Sequence, residues 1–178
     1  HSIVTNEDGD IFVMGTTGSA DFPTTSGAFQ VAFGGGPLLD LVTYHFYGTF
    51  DSGSDIVISR INGVAGTLDA STYIGGSGND GLNLGEKLNY NYGDVCRGEI
   101  NIDPDGNVWV ATSTRSDDFP LAQATDPALN GMSDAVVFQL SSNLEGLLFS
   151  TYFGGGSDDA AFGIQFAMGT PGLAYFTG

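Results

Sequence analysis

Asn6-Glu7-Asp8-Gly9-Asp10-Ile11-Phe12-Val13 and Asp103-Pro104-Asp105-Gly106-Asn107-Val108-Trp109-Val110 are two copies of one pattern, with Gly9 and Gly106 separated by 97 positions. At the same separation Asp21-Phe22-Pro23 falls on Asp118-Phe119-Pro120. Ser71-Thr72-Tyr73-Ile74-Gly75-Gly76 recurs as Ser150-Thr151-Tyr152-Phe153-Gly154-Gly155, now 79 positions on from Tyr73 to Tyr152. The chain therefore consists of repeats that carry insertions of unequal length, and the repeat has to be read before any single element. A third copy starts near Gln165, where Phe166, Met168, Gly172 and Tyr175 take the places of Ile100, Ile102, Gly106 and Trp109.

Each copy reads as four short strands. In the second they are expected at Glu99 to Ile102, Val108 to Thr114, Asp134 to Leu140 and Leu147 to Tyr152. These segments are rich in Val, Phe, Tyr and Thr and are bounded by Gly, Asn, Asp and Ser, which is a strand signature. Asp8-Gly9 and Asp105-Gly106 read as type I′ hairpin turns, which need positive φ at both central residues. Apolar positions at helical spacing are interrupted by glycine throughout, so little helix is expected. A four-stranded unit that recurs with glycine-rich joints suits an all-β fold, a β-propeller of four-stranded antiparallel blades. Ranking such blades around an axis buries both faces and leaves few exposed edges. Gly75-Gly76 and Gly154-Gly155-Gly156 are read as the joints, with glycine supplying backbone freedom. The expected division is blade 1 over 1–80 with a long insertion at 36–54, blade 2 over 81–159 with an insertion at 83–98, and the truncated start of blade 3 over 160–178. That is about two and a half blades.

Composition agrees with a packed β domain. The 28 Gly and 6 Pro stand beside 41% hydrophobic and 12% aromatic residues, enough apolar surface to exclude disorder, collagen and coiled coil. Four basic residues against 21 acidic ones give a net charge of −17, a field that repels a phosphate backbone and excludes nucleic acid as a partner. The single cysteine, Cys96, forms no intrachain disulfide and leaves the redox compartment open. No apolar run is long enough for a membrane span. The chain starts at His1 with neither an initiator Met nor a signal pattern, and so reads as a mature piece or a fragment.

Ser71-Thr72-Tyr73-Ile74-Gly75-Gly76-Ser77-Gly78-Asn79-Asp80, Asp21-Phe22-Pro23-Thr24-Thr25-Ser26-Gly27-Ala28-Phe29-Gln30 and Ser133-Asp134-Ala135-Val136-Val137-Phe138-Gln139-Leu140 closely resemble the first, third and last elements of the bacterial SBBP β-propeller repeat. The resemblance covers nearly the whole chain apart from the two insertions. Gln139 stands where that family tends to have Lys, and Leu121-Ala122-Gln123 replaces the Thr-Thr after the second Asp-Phe-Pro. What the resemblance implies is a secreted or surface-displayed bacterial protein, and it implies architecture more firmly than activity.

Candidate chemistry is sparse. Asp103-Pro104-Asp105-Gly106-Asn107 has the alternating oxygens that open a calcium loop, but Thr114 stands where a twelfth-position Glu would be, and the hairpin-turn reading is preferred. Ser77-Gly78-Asn79-Asp80 and Gly156-Ser157-Asp158-Asp159 read as inter-blade turns, with a cation or sugar site at the rim as the alternative. His1 and His45 belong to no hydrolase motif, and Cys96 reads as an inert loop or core thiol. Trp109, with Phe12 and Tyr175 at equivalent places, reads as an inter-blade core aromatic. The insertions are the expected carriers of specific function, because loops on a rigid scaffold host binding residues. Their Tyr44, His45, Tyr47, Tyr90 and Tyr92 are the candidate binding residues for a glycan or a protein partner, the alternative being packing on the flank. The function expected is a non-catalytic, secreted cell-surface module with a structural or adhesive role and no resident cofactor. Partners would be protein or glycan at the cell surface, or other copies of the chain. A building block of an extracellular filament and a carbohydrate-active lyase or hydrolase are the alternatives.

Overall fold

The computed structural model describes residues 2–41, 48–85, 87–90, 93–167 and 173–178, and the elements lying wholly within them are strands. The first repeat supplies β1 (Ser2–Thr5), β2 (Ile11–Thr17), β5 (Asp55–Ile61) and β6 (Leu68–Ile74), hydrogen-bonded in that order as one antiparallel sheet. The second supplies β7 (Glu99–Ile102), β8 (Val108–Thr114), β9 (Asp134–Leu140) and β10 (Leu147–Phe153) in the same order. A two-stranded pair, β11 (Gly163–Phe166) and β12 (Ala174–Thr177), follows. Within the first insertion β3 (Leu39–Asp40) pairs with β4 (Thr49–Phe50).

Strand alternation gives both four-stranded sheets two apolar faces, and the repeat makes them comparable. In the second sheet Val108, Val110, Val136, Phe138 and Tyr152 lie on one face, here face A, while Trp109, Ala111, Ala135 and Val137 lie on the other, face B. Face A of the second sheet packs on Phe12, Met14, Ile56 and Ile58 of the first, forming the main core. Those four occupy the repeat positions of face B, so unlike faces meet. The same rule holds one layer on. Face B of the second sheet is covered by Ile164, with Phe166 edge-on to Trp109 and Phe176 edge-on to Phe153 at 4.7 Å between ring centroids. Successive layers come closest at their first strands, β1 against β7 and β11 against β7 and β8.

The Asp-Phe-Pro segments cover the edges of the fourth strands. Thr25 N–H donates to Ser71 carbonyl and Tyr73 N–H to Gln30 carbonyl, both at 3.0 Å. In the second repeat Ser150 N–H donates to Ala122 carbonyl at 2.8 Å and Tyr152 N–H to Asp126 carbonyl at 3.2 Å. A free edge is a template for unwanted pairing, and each repeat closes its own.

Three sequence expectations are corrected. The Asp-Gly hairpins are not two-residue type I′ turns. Only Gly9 and Gly106 have positive φ, both +83°, and the loops run from Asn6 to Asp10 and from Asp103 to Asn107. The longer loop places Pro104 where a type I turn favours it. The joint glycines Gly75 and Gly76 have ordinary φ; a Cβ on Gly75 would stand 2.7 Å from Asp80 Oδ2 and 2.8 Å from Asp55 Cγ. Close approach, rather than backbone freedom, requires glycine there. In the third copy Ile164 pairs with Phe176 as Ile100 pairs with Val110, so Ile164, two residues before Phe166, takes the place of Ile100. Tyr175 does sit at the Trp109 position but is 61% exposed, whereas Phe12 is buried.

Phe138→Ala removes a fully buried ring from the seam between the sheets and should lower unfolding free energy by about 3–5 kcal/mol. Tyr175→Ala, on the uncovered face, should stay within about 0.5 kcal/mol of the parent. Urea titration separates the two, and equal effects would contradict the assignment of faces.

Candidate functional site

Two places gather polar side chains: the seam at the end of each repeat and the rim formed by the insertions. At the seam, Asp55 opens β5 with its carboxylate taking N–H donors from Gly34 at 2.7 Å and Gly35 at 2.8 Å. Asp80, at the close of the first repeat, accepts from Gly76 N–H at 2.8 Å and from two hydroxyls of the second sheet, Ser116 at 2.8 Å and Thr114. Both aspartates have no exposed surface, and Asp80 bridges two sheets. Burial, with the charge of Asp55 nearby, pushes its carboxyl up to about 7 despite these donors. Burial likewise raises Asp55, and its equivalent Asp134. A carboxylate pair of this kind could serve acid–base chemistry only if a substrate reached it, and here the protein encloses it completely.

A tyrosine locks the same seam in both repeats. Tyr73 O–H donates to Ser19 carbonyl and accepts from Phe22 N–H, each at 2.8 Å. Tyr152 O–H donates to Ser116 carbonyl at 2.6 Å and accepts from Phe119 N–H at 3.1 Å. Burial pushes the Tyr152 phenol up to about 12. Ser19 N–H bonds Thr17 Oγ1 just as Ser116 N–H bonds Thr114 Oγ1. The repeated Thr-x-Ser at Thr17 and Thr114 was the sequence signal for this seam, and pattern reading based on Gly and Asp alone misses it.

Of the candidate binding residues, Tyr44, His45, Tyr47 and Tyr92 lie outside the described residues. Tyr90 is 87% exposed, and its N–H is held by Asp94 Oδ2 at 2.9 Å. The two insertions also share a small core: Leu41, Leu82, Leu84 and Val95 are buried together, with Leu39, Phe50 and Cys96 packed against them. Burial raises the Cys96 thiol, away from reactive thiolate. Arg97 pairs with Asp94 at 3.2 Å and lies over the Phe162 ring.

At the Asp-Gly turns, Asp103 accepts from the N–H groups of Asp105 and Asn107, from Trp109 Nε1 at 3.0 Å and from Gln139 Nε2 at 2.8 Å. These are the bonds of an Asx turn tied to the neighbouring strands. Among the described residues, no three His, Cys, Asp or Glu side chains gather as a metal-holding group.

No protein-family model, curated protein or solved structure matches this chain.

Asp80 sets a pH dependence. Its folded pKa lies above the ordinary carboxylate value, so the folded state binds the extra proton between about pH 4 and 7. Its contribution to stability is full below that window and is lost as pH rises through it. Asp10, held low by its hydrogen bond from Arg60, acts with the opposite sign at acid pH. Asp80→Asn should therefore flatten the decline between pH 4 and 7, measured as urea midpoints across that range. A decline of unchanged slope would contradict the assignment.

Proposed function

We propose that this chain is part of a secreted, cell-surface β-propeller of the SBBP repeat type, acting as a non-catalytic structural or adhesive module. The observation that carries the reading is the stacking of unlike faces. A two-sheet sandwich closes when its two inner faces meet, whereas here face A meets face B twice in succession, and layers approach most closely at their first strands. Sheets that repeat this relation while fanning outward from their first strands form blades around an axis. Face A of the first sheet, where Tyr73 and Val57 are buried but the first strand is left open, points the same way. Ile3 on it is 67% exposed, and its repeat-equivalent face in the second sheet is covered. This is where a propeller places the neighbouring blade.

Three further features support a surface module over an enzyme. The seam carboxylates are enclosed. The acidic excess suits a solvated exterior and disfavours nucleic acid. The aromatic insertions stand on a rigid scaffold, with Tyr90 presenting an exposed ring.

Replacing Tyr44, Tyr47, Tyr90 and Tyr92 together by Ala should reduce binding to cell-surface material at least about tenfold, as expected when interface aromatics are lost. Thermal unfolding of the same variant checks that the scaffold survives. Full binding by the folded variant would overturn the adhesive reading.

A further inference from the structure

We propose that a cleft beside the second insertion is a binding site for an acidic saccharide. The chain has four basic side chains against 21 acidic ones. Arg60 is committed to Asp10 at 2.5 Å and Arg97 to Asp94 at 3.2 Å. The other two, Lys87 and Arg115, come from different segments and line the same cleft of about 730 Å³, a volume typical of small-ligand sites. Among the described residues, neither has a carboxylate within ion-pair distance. On a surface so rich in Asp and Glu, two cations that converge on one cleft with neither held in an ion pair mark a place where an anion is missing.

The guanidinium is preorganised. Arg115 Nη2 donates to Leu84 carbonyl at 3.2 Å, which fixes the group at the cleft wall, and Nε is buried without a partner. Lys87 is exposed and brings a second positive charge. Asp158 lines the cleft as well, and its Oδ1 is buried without a hydrogen-bond partner, an acceptor left to be satisfied. A bare inorganic anion would leave that acceptor facing negative charge. A sugar acid satisfies both groups, with its carboxylate or sulfate on Lys87 and Arg115 and a ring hydroxyl donating to Asp158. Leu88 and the 70% exposed Met132 offer an apolar wall for the C–H face of the ring. The net charge of −17 opposes any anion at long range, so recognition here depends on these local contacts.

The site deepens the surface-module reading and rests on it only for the presence of saccharide. Calorimetric titration of the chain with a galacturonate trimer, a sulfated galactose trimer, the neutral galactose trimer and inorganic sulfate tests it. At least one acidic trimer should bind, and about tenfold more tightly than either the neutral trimer or sulfate. The two acidic arms distinguish carboxylate from sulfate. Lys87→Gln should weaken acidic-trimer binding by about threefold or more, and Lys87→Gln with Arg115→Gln by about tenfold or more. Asp158→Asn, which removes the negative charge beside the two cations, should strengthen sulfate binding and so narrow the preference for the acidic trimer over sulfate. Lys87 is exposed, so its variant keeps the test decisive if the Arg115 substitution impairs folding. Equal binding of neutral and acidic trimers, no heat with either acidic trimer, or full affinity in folded Lys87→Gln would overturn the site. Failure here in a protein recovered from the cell surface leaves the surface reading standing, whereas acidic-trimer binding by a protein confined to the cell interior would overturn that reading and leave the site standing.

Discussion

Both four-stranded sheets have two apolar faces, and neither can be left to water without cost. One buried aliphatic or aromatic side chain is worth about 1.5–3 kcal/mol relative to its exposed state, so a four-stranded sheet with both faces apolar needs a neighbour on each side. The repeat supplies them by making the faces different and complementary. Phe12, Met14, Ile56 and Ile58 receive Val108, Val110, Val136 and Phe138, and Trp109, Ala111, Ala135 and Val137 receive the final hairpin. Phe and Ile line the first sheet's side of the first seam, and Ala with one Trp line the second sheet's side of the next, so the packing solution varies while the faces that meet stay the same.

Polar groups then fix how the layers register. The carboxylate of Asp80 ties the end of one repeat to Thr114 and Ser116 of the next, and Arg60 Nη1 reaches Ser142 carbonyl at 3.3 Å from the other side. Buried polar contacts add little net stability, but leaving one unmade is expensive, so they select one register over its neighbours. The glycines at the joint follow from the same geometry, because Asp55 and Asp80 stand where a Cβ on Gly75 would be. With the seams occupied by structural bonds, the recognition proposed above is assigned to the rim, where the insertions depart from the repeat.

Much of this was legible in the sequence because repetition amplifies weak signals. The four strands of the second copy were placed from Val, Phe and Tyr between Gly, Asn and Asp, with only the end of the last strand shifted, from Tyr152 to Phe153. What single elements left underdetermined was less legible. The Asp-Gly pairs signalled a hairpin but not its length, since the conformation depends on Asn6 and Asp103 closing a five-residue loop. In the third copy, aligning Tyr175 with Trp109 was right, yet the preceding strand lies two residues away because the loop length differs. The seam was missed because Thr and Ser read as ordinary strand and turn residues until Asp80 is placed against them. The pairing of Lys87 with Arg115 was equally hidden, since only the fold brings the two segments to one cleft.

The central claim, that unlike faces meet between the sheets, is tested most directly by the nuclear Overhauser contacts of the Met14 methyl group. Met14 Cε lies where a Cβ on Gly98 would be, at 2.7 Å, next to Thr112 on face A of the second sheet. Cross-peaks from the Met14 methyl to Gly98 and Thr112 are the predicted result. Cross-peaks to Ala111 or Val137 instead, on face B, would mean that like faces meet and would contradict the account.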